Sequence, residues 1–212
     1  RHFHLAQRSV ASKGYLETIT WSFADAKNNN NFRENIEEVK IINPISSDLN
    51  VLRSSLYTNL ILFLKKNIDR GFENQSLFEI GPLFVGKKPG QQITIVCGVR
   101  KEHQLDIYDI KKDLVQTLVE LGIDKNEIRI STKTPTYYHP GRSGSIMTKN
   151  NQKLLAYFGQ IHPKIINNTY GFEILLEDLV QYKSQNKKDK PTITFSDYQK
   201  SERDFAFIVQ KN

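Results

Sequence analysis

The side chains in this 212-residue sequence that are able to do chemistry are few and far apart. Its five histidines are His2, His4, His103, His139 and His162. A two-histidine metal site on a helix needs both imidazoles on one face. His2 and His4 fall on different sides, and no other pair has the required spacing. The single cysteine, Cys97, excludes an internal disulfide and any site built from several thiolates. Its apolar surroundings, Ile95-Val96-Cys97-Gly98-Val99, suit a small buried side chain better than a nucleophile. There is no Gly-x-x-x-x-Gly-Lys phosphate cradle, no Gly-x-Gly-x-x-Gly helix opening and no Gly-x-Ser-x-Gly elbow. The residues therefore nominate no catalytic, cofactor-binding or metal-ligating group.

Two polar stretches have recognition chemistry instead. In Tyr137-Tyr138-His139-Pro140-Gly141-Arg142-Ser143, a base would stack on Tyr138 while His139 and Arg142 reach a phosphate. The plainer expectation is a Pro-Gly turn leading into a strand. In the segment Asn43 to Arg53, Arg53 lies just before a helix, where it would bridge to a carboxylate on a partner. The plainer expectation there is an Arg53 paired locally with a carboxylate such as Asp48. The net charge of +7 is compatible with RNA or another phosphate-rich partner, yet the 21 lysines and 9 arginines are spread along the whole chain, as they would be for solubility alone.

These residues must be positioned by secondary structure, and the centre of the pattern is a helix after Ser54-Ser55. Either serine can cap the first turn. Leu56, Leu60, Phe63, Leu64 and Ile68 form an apolar stripe, Lys65, Lys66 and Arg70 complement the helix dipole, and Gly71 supplies the stop. A second helix is predicted from Ile107, Ile110, Leu114, Leu118 and Leu121, ending at Gly122. Residues 2–13 read as a short helix stopped by Gly14. Period-two alternation predicts a strand over Tyr15 to Phe23, with a further strand at Val39 to Asn43 ended by Pro44. Strands over 76–85, broken at Gly81-Pro82, and over 93–99 should pair antiparallel. Short strands follow at 128–132, 143–148, 153–159 and 172–176, with short helices at 162–170 and 177–182. The order predicts an α+β fold, a largely antiparallel sheet with helices on one face. Ser184 to Lys190 has linker composition, and beyond it only Asp204 to Gln210 reads as a strand. No apolar run approaches the roughly 20 residues of a membrane span, and nothing resembles a secretory leader. Opening on Arg1 suggests a processed or excised piece, and the lone cysteine suits a reducing cytoplasm.

Several motifs, taken in order, carry a family resemblance. They are Gly14-Tyr15-Leu16-Glu17-Thr18-Ile19-Thr20-Trp21-Ser22-Phe23, the stretch Asn43 to Leu56, Leu77-Phe78-Glu79-Ile80-Gly81, His139-Pro140-Gly141-Arg142-Ser143, Gly159-Gln160-Ile161-His162-Pro163 and Glu202-Arg203-Asp204-Phe205-Ala206. Together they resemble the C-terminal part of the β subunit of bacterial phenylalanyl-tRNA synthetases. The resemblance implies a class II synthetase-like module over residues 1–183, an antiparallel sheet flanked by helices, then a linker over 184–190 and the opening of a ferredoxin-like anticodon-binding domain over 191–212. It departs from the family at Val99 to Leu105, which is shorter than usual before Asp106 to Lys111.

The resemblance also implies a noncatalytic role. Active class II enzymes hold nucleotide phosphates with arginines, one after a strand and one in a Gly-rich strand-to-helix segment. Here Val85-Gly86-Lys87 follows Phe84, and Asp178 falls near the second arginine's place. The implied partners are the catalytic α subunit, in an α/β heterotetramer, and tRNA through the whole enzyme; the resemblance points to Asn43, Pro44, Asp48 and Arg53, in a loop running into a rigid helix, as the subunit interface. ATP and magnesium are expected for that enzyme, with no cofactor on this chain. An active class II-fold ATP-dependent ligase and a free-standing basic RNA-binding module are the alternative readings.

Overall fold

The computed structural model describes residues 2–34, 36–150, 153–185 and 198–209. Seven strands form one sheet in the order β1 (Leu16–Glu17), β4 (Gln75–Phe84), β5 (Gln92–Lys101), β9 (Tyr170–Leu175), β8 (Leu154–Ile161), β7 (Tyr138–Thr148) and β6 (Ile128–Ser131). All neighbouring pairs are antiparallel except β1 with β4, where Leu16 sits beside Leu77 in a parallel ladder. A separate two-stranded sheet joins β2 (Phe23–Ala24) to β3 (Val51–Leu52).

Alternation along the long strands builds a core on each face of the sheet. Phe78 and Ile80 of β4, Val96 of β5 and Phe172 and Ile174 of β9 point to one side. That side is covered by α1 (His2–Ala11), α4 (Ile107–Glu120) and α5 (Leu176–Gln185). Leu77 and Leu83 of β4 and Ile95, Cys97 and Val99 of β5 point to the other side, where Leu56 and, from α3 (Tyr57–Ile68), Tyr57, Leu60, Ile61 and Leu64 close the core. Helices therefore cover both faces, not one as the order of elements suggested. The short α2 (Ala26–Asn30) is fastened to α3 by Asn29, whose Oδ1 accepts from the Ser54 amide and hydroxyl and the Thr58 hydroxyl.

The two long helices form as their spacing predicts. The Ser55 hydroxyl accepts from the Tyr57 amide at 3.1 Å, and Gly71 takes φ +90° after the last turn of α3. The stripe is narrower than expected: Leu56, Leu60 and Leu64 are buried, whereas Phe63 is turned out and lies under the Lys66 ammonium, 5.6 Å from the ring centroid. Helix α4 opens on a capping box, with Asp106 accepting from the Asp109 amide and Asp109 from the Asp106 amide, and it buries Ile110, Leu114 and Leu118.

Other segments differ from the pattern. The expected strand Tyr15 to Phe23 is only the two residues of β1 and the first of β2, with Ile19 and Trp21 exposed between them. Val39 to Asn43 forms a single bridge, Lys40 to Val51. β4 runs unbroken through Gly81-Pro82. The Phe84 amide donates to the Arg53 carbonyl, away from β5, so Pro82, two residues back, also has its nitrogen on the side without a ladder and forfeits no bond. Residues 162–169 are turns rather than a helix, with Asn168 in the left-handed region at φ 49°. Helix α5 is longer than the 177–182 stretch. Residues 204–209 lie in no strand, and Phe205 and Phe207 are exposed, because a lone strand has no ladder to join. The expected linker at 184–190 begins two residues too early, since 184–185 continue α5; the rest of it and the start of the tail, at 186–197, lie outside the described residues.

Candidate functional site

Between the sheet and α3 lie two polar clusters, each built around a carboxylate in the middle of an apolar strand. The first is centred on Arg53. Its Nη1 donates to Glu79 Oε1 at 2.7 Å and to Thr20 Oγ1 at 2.9 Å, and its Nε donates to the Pro82 carbonyl at 3.1 Å. Both members of the ion pair are almost wholly removed from water. Room for the guanidinium exists because position 81 is glycine: a Cβ there would lie 2.5 Å from Arg53 Nη2. Glu79 Oε2 accepts from Thr20, and Asn59 Nδ2 donates to the carbonyls of Trp21 and Phe23. The cluster thus ties the irregular chain at 18–23 to β4 and α3.

The second cluster is centred on Glu173 of β9. Its Oε2 accepts from the hydroxyls of Tyr137 at 2.8 Å and Tyr138 at 3.3 Å, and its Oε1 accepts from Ser55 at 3.5 Å. Tyr138 and Tyr57 share a hydrogen bond of 2.7 Å, and Tyr57, Tyr137, Tyr138 and Phe32 pack ring against ring. Burial pushes the Glu173 carboxyl up to about 7, although the three hydroxyls stabilise its ionised form. Burial also raises the three tyrosines and Cys97, which pairs with Glu173 across the β5–β9 ladder. A raised thiol inside a closed core is no nucleophile at neutral pH. Gly171 makes room for this packing as well, since a Cβ there would meet the Tyr57 hydroxyl at 2.5 Å.

The polar stretches singled out in the sequence fare differently. Arg53 is 2% exposed and all the partners named above are inside the chain, so it is not a surface anchor. Its carboxylate is Glu79 rather than Asp48, because its side chain turns inward to β4 while Asp48 sits at the surface in the 3-10 turn Ser47–Leu49. Asn43, Pro44 and Asp48 are exposed. Tyr138 is 1% exposed and committed to the aromatic core, which removes it as a stacking platform. His139 accepts from the Gly141 amide, and the exposed Arg142 donates to Gln160 at 3.3 Å. The stretch is not a turn between elements. It is the bulged start of β7, where residues 139–142 stand opposite Gln160 alone. Asp178, on the first turn of α5, pairs with Lys153 at 3.2 Å, and its neighbour Glu177 accepts from the Thr94 amide at 2.9 Å. Lys87 pairs with Glu37.

Glu79 and Glu173 were missed as site residues. The signal for both was a single charge inside an apolar strand, Leu77-Phe78-Glu79-Ile80 and Phe172-Glu173-Ile174, which demands a buried partner. Among the described residues, no group of three or more His, Cys, Asp or Glu converges as a metal site would require, and no helix is long and apolar enough to cross a membrane.

An antiparallel-dominated sheet with this strand order and helices on both faces is the fold of a class II aminoacyl-tRNA synthetase. A pyrrolysyl tRNA synthetase, PylSc of Desulfitobacterium hafniense, superposes with a TM-score of 0.68 over 87% of this chain and 66% of its own, at 16% identity. The family is given by sequence. The profile of the phenylalanyl tRNA synthetase beta chain CLM domain matches residues 2–174, and the chain belongs to that family. It is 35% identical over 220 residues to the phenylalanine–tRNA ligase beta subunit of Paramagnetospirillum magneticum, covering 96% of this chain and 27% of the relative. The corresponding subunit of Rhodospirillum rubrum is 35% identical over 227 residues, covering 99% and 28%. The chain therefore spans little more than a quarter of the length of these relatives.

Proposed function

We propose that this chain is the noncatalytic, class II-like module of the β subunit of a cytoplasmic phenylalanine–tRNA ligase, which joins phenylalanine to its tRNA at the expense of ATP. On this reading it is a scaffold for the catalytic α subunit within an α/β heterotetramer, and tRNA meets it only through the whole enzyme. The segment containing Asn43, Pro44 and Asp48 is part of its contact surface. Residues 191–212 open the anticodon-binding domain, beyond a linker that follows α5.

The observation that carries the reading is the filled core between α3 and the sheet. Tyr57, Tyr137, Tyr138 and Phe32 occupy that space, and the carboxylate of Glu173 and the guanidinium of Arg53 are both consumed by internal partners. A nucleotide needs free cations to meet its phosphates, and the acidic Asp178 with its neighbour Glu177 would repel them. ATP and magnesium are then handled by the partner subunit.

Calorimetry of the chain with ATP and magnesium, and coexpression of the full-length polypeptide with the α subunit, test this. No heat of nucleotide binding to the chain, with a copurifying complex that charges tRNA, is the expected result. Micromolar nucleotide binding by the chain alone would favour an active ligase domain. Salt-resistant, tRNA-specific binding by the chain alone would favour an RNA-binding module.

A further inference from the structure

A groove of about 600 Å³ runs along the outer side of α3, sharing Trp21, Phe23 and Asn59 with the edge of the Arg53 cluster but neither Arg53 nor Glu79. One wall comes from β2 and the 3-10 turn Ser47–Leu49, which touch each other, and the other from α3. Its apolar floor and rim include Trp21, Leu62 and Phe63. Trp21 is 57% and Phe63 40% exposed, a cost in water that a covering partner would remove.

The charges in the groove are divided between its walls. The wall from β2 and the 3-10 turn presents Asp25 and Asp48 and no cation, in a chain whose net charge is +7. Asp25 caps α2 by accepting from the Asn28 amide at 3.0 Å. Asp48 accepts from the Ser47 hydroxyl, is exposed, and forms no ion pair among the described residues. On the opposite wall Lys66 is held over the Phe63 ring. An exposed carboxylate beside exposed aromatic rings fits a partner group that is both cationic and apolar along its stem, the chemistry of arginine or lysine on an apolar segment. A two-fold contact between copies of this chain would offer the acidic wall only the other copy's Lys66 from this groove, a cation already held over Phe63, which disfavours a second copy as the occupant.

We propose that this groove seats an apolar segment of the catalytic subunit bearing an arginine or lysine, with the cation on Asp48 and its stem and neighbours against Trp21, Leu62 and Phe63. The proposal rests on the reading that the chain is a scaffold for that subunit.

The test uses the full-length polypeptide coexpressed with the α subunit, carrying Asp48→Lys or Phe63→Ser, with the dissociation constant and melting temperature measured for each. Both side chains are exposed, so melting should hold while affinity falls about tenfold or more, and the Asp48→Lys loss should shrink as salt is raised. If Phe63→Ser lowers the melting temperature, Asp48→Lys alone decides. A wild-type complex with both variants equally tight would overturn the groove as the seat and leave the scaffold reading intact. A wild type that never assembles with the α subunit would overturn both. Self-association of the wild-type polypeptide, abolished by Phe63→Ser, would assign the groove to a second copy and overturn the proposal.

Discussion

Arg53 and Glu79 stand 2.7 Å apart in a space almost closed to water, joining the segment between β3 and α3 to the middle of β4. The pair is the hub of the bonds that hold Thr20, Trp21 and Pro82 in place. Glu79→Gln leaves a buried guanidinium without its countercharge and should lower unfolding free energy by about 3–5 kcal/mol. Arg53→Met combined with Glu79→Leu removes both charges and should regain much of that loss. Urea denaturation of the two variants checks it, and equal losses would mean that packing, not charge, dominates the site.

Glu173 makes stability depend on pH near neutrality. The folded chain holds this proton up to about pH 7, while an unfolded glutamate releases it near its ordinary value of 4.5. Between these values the folded state binds more protons, so stability falls as pH rises, by about 3 kcal/mol across the window. Glu173→Gln keeps an acceptor for the tyrosine hydroxyls and cannot ionise. It should flatten this part of the profile and melt higher than wild type at pH 8. Parallel profiles for the two proteins would show that the carboxyl does not titrate there.

Gly171→Ala should destabilise by about 1–3 kcal/mol, since its methyl meets the Tyr57 hydroxyl at 2.5 Å and the Gly98 carbonyl at 2.7 Å. Adding Tyr57→Phe relieves only the first contact. Thermal melting of the single and double variants should therefore show partial recovery, and full recovery would mean that the backbone clash is absorbed elsewhere.

Leu60 and Phe63 belong to the same apolar stripe in sequence, yet only Leu60 is buried. Leu60→Ala should cost about 2–5 kcal/mol, and Phe63→Ala well under 1 kcal/mol. Chemical denaturation separates them, and similar losses would put Phe63 inside the core.

What was legible in the sequence is what local periodicity controls. The faces of α3 and α4, their stops at Gly71 and Gly122, and the β4–β5 hairpin all follow from spacing and from glycines able to take positive φ. The chain from Thr18 to Ser22 was not legible, because its carbonyls are satisfied from far away. Trp21 and Phe23 accept from Asn59, and Ser22 accepts from the Arg53 amide, so apolar alternation there does not report a strand. The start of β7 was hidden by Pro140-Gly141, which sits in a bulge rather than a turn. In the candidate site, Arg53 was noticed and its local pairing with a carboxylate expected, but with the wrong carboxylate, Asp48 rather than Glu79. Its inward course depends on the glycine at 81 and the carboxylate at 79, which only folding brings beside it.

The pairing of β5 with β9 at the centre of the sheet also bears on how the chain folds. β4 and β5 form one hairpin and β7 and β8 another, each closing over a short connection, but β9 docks on β5 only by closing a loop that holds α4 and three intervening strands. Loop-closure entropy makes such a distant pairing late and slow. Glu173 lies on this seam and reaches across to Ser55 at the start of α3. Burying this group should therefore belong to the final step, and refolding should be faster below neutral pH, where the carboxyl readily takes up a proton as it enters the core.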